Sequence, residues 1–75
     1  MHYTVAIIED IQGNVKVNFD KTGNKFVVGL YNKKTKEYTA KIFNDTESGY
    51  LIFEKLSRAI IDGCYNYEDR KEMLK

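Results

Sequence analysis

Apolar and polar residues alternate along the first half of the chain, and then the period changes. Residues 3 to 8, YTVAII, are β-branched or aromatic at most positions, so an extended segment there is apolar on both sides and reads as a central strand. Residues 15 to 20, VKVNFD, alternate strictly with Val15, Val17 and Phe19 on one side, and read as an edge strand. Between them EDIQGN supplies turn formers, with Gly13 and Asn14 suited to positive φ, and an antiparallel hairpin is the simplest connection. A second turn is expected in DKTGNK. Beyond it FVVGLYN, 26 to 32, and EYTAKIF, 37 to 43, flank the polar KKTK and predict a second hairpin with a four-residue connection. In that register Tyr31 stands opposite Tyr38. One face then carries Val27, Gly29, Tyr31, Tyr38, Ala40 and Ile42, and the other Phe26, Val28, Leu30, Thr39, Lys41 and Phe43.

From residue 44 onward the apolar spacing lengthens to steps of three and four, the mark of a helix. Asn44 or Asp45 is the expected N-cap, and Glu47 lies three after Asn44 in capping-box spacing. Ile52, Phe53, Leu56, Ala59, Ile60 and Cys64 fall on one side, with Glu54, Lys55, Ser57, Arg58 and Asp62 opposite. Gly63 is placed to end the helix in the left-handed conformation, and Asn66, with Asp69 three residues on, caps a short second helix that runs through Met73 and Leu74. The predicted fold is α+β. It is a four-stranded antiparallel β-meander packed by one C-terminal helix (46–63), plus a short terminal helix, in a single domain over residues 1–75.

Composition narrows the function classes. At 75 residues a single core barely overcomes chain entropy, which leaves little room for a large buried active site. Twelve basic and eleven acidic residues give a net charge of +1, so electrostatic function has to come from local patches. One cysteine cannot form an internal disulfide, and with one histidine, His2, it cannot supply the roughly four ligands of a structural zinc site. The start MHYTVAIIED lacks the basic and long apolar segments of a secretion signal, and no apolar run approaches the ~20 residues of a membrane span. These features imply a cytoplasmic protein with no membrane association, no metal and no cofactor.

Candidate chemistry is sparse. Cys64 as a nucleophile would need a cation or imidazole beside it, and His2 is the one imidazole present; a buried thiol at the helix end is the expectation. Glu9 with Asp10, and Glu68 with Asp69, are adjacent in sequence, so their carboxylates diverge instead of converging on one substrate atom. KTGNK has a single glycine and none of the Lys-Ser/Thr continuation of a phosphate loop. No catalytic residue is assigned, and a non-enzymatic binding protein is the expectation. The richer stretch is YNKKTKEY, where Lys33, Lys34 and Lys36 extend from a hairpin based on Tyr31 and Tyr38, an arrangement able to stack bases and hold phosphates. Apolar residues on both sides of strands 3–8 and 26–32 call for a cover on the second face. A second copy, a bound target or the short C-terminal helix with Tyr65, Tyr67, Met73 and Leu74 would each supply one. A two-fold dimer through that face or through the Tyr65–Leu74 segment is therefore expected.

The C-terminal half, EYTAKIFNDTESGYLIFEKLSRAIIDGCYNYEDRKEM, resembles the small phage-encoded anti-CRISPR and anti-defence proteins in its order of a small antiparallel sheet, a helix and an acidic segment around NYED. The resemblance implies an inhibitor of a host defence system, such as a CRISPR effector; Tyr65, Tyr67, Glu68 and Asp69, in and beside NYED, are candidate binding residues of the chain. It departs from inhibitors that imitate DNA, because Glu68, Asp69 and Glu72 are interleaved with Arg70, Lys71 and Lys75. The same economy suits an oligomeric sponge that holds a nucleotide signal between subunits, or a small RNA- or single-stranded-DNA-binding module that uses the lysine hairpin.

Overall fold

The computed structural model describes residues 2–75. Four strands, β1 (His2–Glu9), β2 (Val15–Thr22), β3 (Lys25–Asn32) and β4 (Tyr38–Phe43), precede helix α1 (Thr46–Ile61), helix α2 (Tyr67–Lys71) and a closing 3₁₀ turn (Glu72–Leu74). The strands form one antiparallel sheet in the order β1-β2-β3-β4, the expected meander. Tyr31 pairs with Tyr38, so the two faces of β3 and β4 hold the residues that the alternation assigns to them.

The positions of the first two strands are the reverse of expectation. Short hairpin turns place each strand beside its sequence neighbour, so β1 is left at the edge and β2 lies inside the sheet. Tyr3, Val5 and Ile7 of β1 are about half exposed, while Val15, Val17 and Phe19 of β2 are buried. A register shift between Thr4 and Ala6 leaves Val5 out of the pairing, a bulge of the kind that twists free edges away from further strand addition. The β2–β3 turn is short because Gly23 takes a φ of 58°, open to glycine without strain. The β3–β4 loop runs one residue longer than expected, over 33–37, with Lys36 at a φ of 69°.

Asp45, not Asn44, is the residue that caps α1, its carboxylate accepting from Ser48 N–H at 3.0 Å. At the other end Cys64 N–H donates to Ala59 C=O at 2.7 Å and Gly63 N–H to Ile60 C=O at 3.1 Å, with Gly63 at a φ of 89°. This paired closure is the Schellman arrangement, and it stops α1 at Ile61. Phe53, Leu56 and Ile60 of α1 press onto Val17, Phe19, Val28 and Leu30. Each such side chain taken from water stabilises by about 1.5–3 kcal/mol. Ser57, expected on the solvent side, is buried with its hydroxyl donating to Phe53 C=O at 2.7 Å. Cys64 is exposed, contrary to expectation, because the chain has already turned away from the core at Gly63.

Asn66 caps α2 through Asp69 N–H at 3.1 Å. The segment then returns to the face that α1 covers, where Tyr67 and Leu74 join the core. The opposite face of the sheet receives no helix.

Candidate functional site

The uncovered face is legible as three rows that cross the sheet. Glu9, Lys16, Tyr31 and Tyr38 form one, Ile7, Asn18, Gly29 and Ala40 the next, and Thr4, Asp20, Val27 and Ile42 the third. The middle row is small over β3 and β4, and the tyrosine row rises beside it. Tyr31 and Tyr38 meet at 6.4 Å between ring centroids with planes 58° apart, an attractive tilted contact. Lys16 Nζ stands 5.4 Å from the Tyr31 ring centre, so the cation beside this platform comes from β2 and not from the hairpin tip. The Tyr38 hydroxyl lies over Gly29, where a Cβ would overlap both it and Asn18 Oδ1.

This cover, together with the flanking rows, buries two polar side chains on a face without a helix: Asn18 and Asp20 are each 8% exposed. Asn18 Nδ2 donates to Asp20 Oδ2 at 2.9 Å, and His2 Nε2 approaches the same oxygen at 3.5 Å. His2 Nδ1 lies 2.6 Å from Thr22 Oγ1. Asp20 Oδ1 has no partner among the described residues. Around this polar centre, Ile7 (48% exposed), Tyr38 (53%) and Ile42 (67%) stand in solvent.

The remaining expected contact residues separate. Lys33 is tied back to β1 by Glu9 Oε2 at 2.6 Å, and this hydrogen bond raises the lysine above its ordinary value. Lys36 is exposed at the tip, and its N–H donates to Asn32 C=O at 2.8 Å. Tyr67 is a core residue: its hydroxyl lies 2.7 Å from Thr39 Oγ1, on the covered side. A dimer face spanning Tyr65 to Leu74 would thus have to reuse buried groups. Glu68 pairs with Lys71 at 2.8 Å and Asp69 is exposed, both on α2 and away from the tyrosine platform.

Lys34 and Tyr65 do come together. They line an open cleft of about 420 Å³ where the helix layer runs out over the sheet end, with Asn14 and Asn32 from the hairpins and Asn66 from the start of α2. Gly63 and Tyr65 also line a neighbouring cleft of about 460 Å³, with Ile11 and Ile61 on its walls. The asparagines gave no signal in sequence, since Asn14 reads as a turn residue, Asn32 as a strand end and Asn66 as a cap, and only the tertiary fold gathers them.

Cys64 and His2 lie at opposite ends of the molecule: His2 opens β1, whereas Gly63, next to Cys64, shares a cleft with Glu9 and Asp10 at its far end. Eight residues of strand separate the two, roughly 25 Å. Among the described residues no group of three or more His, Cys, Asp or Glu side chains is placed to hold a metal ion, and no helix is long and apolar enough to cross a membrane. Comparison with protein families, with curated proteins and with solved structures finds no match to this chain.

Proposed function

We propose that the chain is a non-enzymatic binding protein whose working surface is the open face of the sheet, acting on a host protein as the resemblance to phage anti-defence inhibitors implies. The observation that carries this reading is the composition of that face: exposed Ile7, Tyr38 and Ile42 surround a fixed polar centre of Asn18 and Asp20. Tyrosine and apolar anchors around a polar centre are what protein interfaces concentrate. A cytoplasmic location follows from the same reading.

The test is capture of a partner from host lysate by the wild-type chain and by a Tyr38→Lys, Ile42→Lys double variant, both positions being exposed enough to leave the fold intact. Loss of the captured protein with an unchanged thermal melt is expected. Equal capture by both chains refutes the surface assignment. A second copy of the chain is the competing occupant, and light scattering over a dilution series separates the two. A mass that stays near 8.8 kDa at high concentration rules out the dimer.

A further inference from the structure

We infer that the two neighbouring clefts at the end of the helix layer form one binding site for a small amphipathic anion, its oxyanion head among Asn32, Lys34 and Asn66 and its apolar body along Ile11 and Ile61. The site lies on the helix side of the sheet and is independent of the open face.

The polar inventory of the first cleft is one-sided. Asn32 Oδ1 is already occupied, accepting from Lys34 N–H at 3.0 Å and Thr35 N–H at 3.2 Å. Asn66 Oδ1 accepts from Asp69 N–H at 3.1 Å. The main-chain oxygens of the three asparagines are also engaged, Asn14 C=O by Lys33, Asn32 C=O by Lys36 and Asn66 C=O by Arg70. These bonds fix the orientation of both amides, because only the oxygen can accept from a main-chain N–H. What Asn32, Asn66 and Lys34 leave free is donors. The Nδ2 groups of Asn32 and Asn66 have no partner among the described residues, and Lys34 Nζ is exposed with none. Asn14 Nδ2 donates to Gln12 Oε1 at 3.2 Å and the Tyr65 hydroxyl donates to the same oxygen at 3.3 Å, and among the described residues no carboxylate lines this cleft. A donor-rich, acid-free cleft is complementary to a carboxylate or a phosphate.

The second cleft supplies the other half. Ile11 is 99% exposed and Ile61 71%, and both line a space that shares Gly63 and Tyr65 with the first. Its two acids are already engaged: Glu9 with Lys33, and Asp10 with Val15 N–H at 2.7 Å and Gln12 N–H at 3.2 Å. An apolar chain laid there removes two isoleucines from water while its head reaches the amides. Together the spaces are of the size that small-ligand clefts take, a few hundred Å³ each.

The experiment is a titration followed by the side-chain amide signals of Asn32 and Asn66 in ¹H–¹⁵N spectra, with octyl phosphate, octanoate, inorganic phosphate and neutral octyl glucoside, all below micelle-forming concentrations. Octyl phosphate and octanoate, which separate the two sources of the oxyanion, are expected to shift both amides. Burial of several methylenes should make octyl phosphate at least about tenfold tighter than inorganic phosphate. Asn66→Asp keeps the helix cap, since aspartate caps as well as asparagine, but replaces the donor with a repelling carboxylate. That variant and Lys34→Ala should each weaken octyl phosphate by about tenfold or more with the thermal melt preserved, and Ile61→Ser should weaken it while sparing inorganic phosphate. Octyl glucoside binding as tightly as octyl phosphate, unchanged affinity in Asn66→Asp, or amide signals unmoved by any anion would each overturn the site.

Discussion

The two faces of one sheet have met opposite fates on nearly identical backbone. On the covered face β2 and β3 contribute Val17, Phe19, Val28 and Leu30, and α1, α2 and the closing turn all pack there. On the open face the same two strands contribute Lys16, Asn18, Asp20, Val27, Gly29 and Tyr31, and the aliphatic groups Ile7 and Ile42 lie on β1 and β4. Covering material was available, since the C-terminal segment could have crossed to either side. It went to the covered face, where Tyr67 bonds Thr39 and Leu74 fills the margin of the core. The open face thus differs from the covered one in its polar centre of Asn18 and Asp20 and its exposed apolar rim of Ile7 and Ile42.

The sharpest way to break that contrast is to truncate one residue from each face. Leu56, fully buried, should cost about 2–5 kcal/mol on replacement by alanine, whereas Ile42→Ala on the open face should stay within about 0.5 kcal/mol in urea unfolding. A cost above about 2 kcal/mol at Ile42 would mean that the open face is buried in solution. Tyr67→Phe comes next: losing the hydroxyl bond to Thr39 should cost about 0.5–1.5 kcal/mol, and a negligible effect would show the C-terminal segment to be loosely held. On the open side, Gly29→Ala and Tyr38→Ala are expected to couple by about 0.5–1 kcal/mol in a double-mutant cycle, because the added methyl meets the Tyr38 hydroxyl. Additive effects would mean that Tyr38 does not lie across the face.

The smallest expected effect is a pH dependence in the layer that covers the core. Hydrogen bonding from Ser48 holds the Asp45 carboxyl below the usual aspartate range. With the folded-state value depressed, the stabilisation is complete above the unfolded-state value and fades as pH falls through the folded one. Asp45→Asn caps without titrating, so its thermal melts should lose less than wild type on acidification. Parallel acid limbs for the two chains would remove Asp45 from the account.

Local signals in the sequence carried much of this architecture. The alternation of FVVGLYN and EYTAKIF fixed both faces of β3 and β4, and the Asn66 cap and Gly63 stop followed from residue type alone. Strand order was not legible in the same way, because a segment apolar on both sides fits a central strand equally with an edge that binds something. YTVAII lies at the edge for reasons of connectivity, and VKVNFD, central, carries Asn18 and Asp20 into burial that its pattern does not announce. Of the candidate contact residues, Tyr31 and Tyr38 lie together on the open face and Lys34 with Tyr65 at the end cleft, while Tyr67 turned out to be structural. Lys16 and the three asparagines were missed because their neighbours come from other strands and loops.

The division of labour between the faces is tested most directly by site-specific photocrosslinking in host cells, with benzoylphenylalanine placed at Ile42 on the open face or at Lys55 on the solvent side of α1, both exposed. A discrete crosslinked partner from position 42 and none from position 55 is the expected result. Adducts of equal yield at the two positions, or from position 55 alone, would contradict the account.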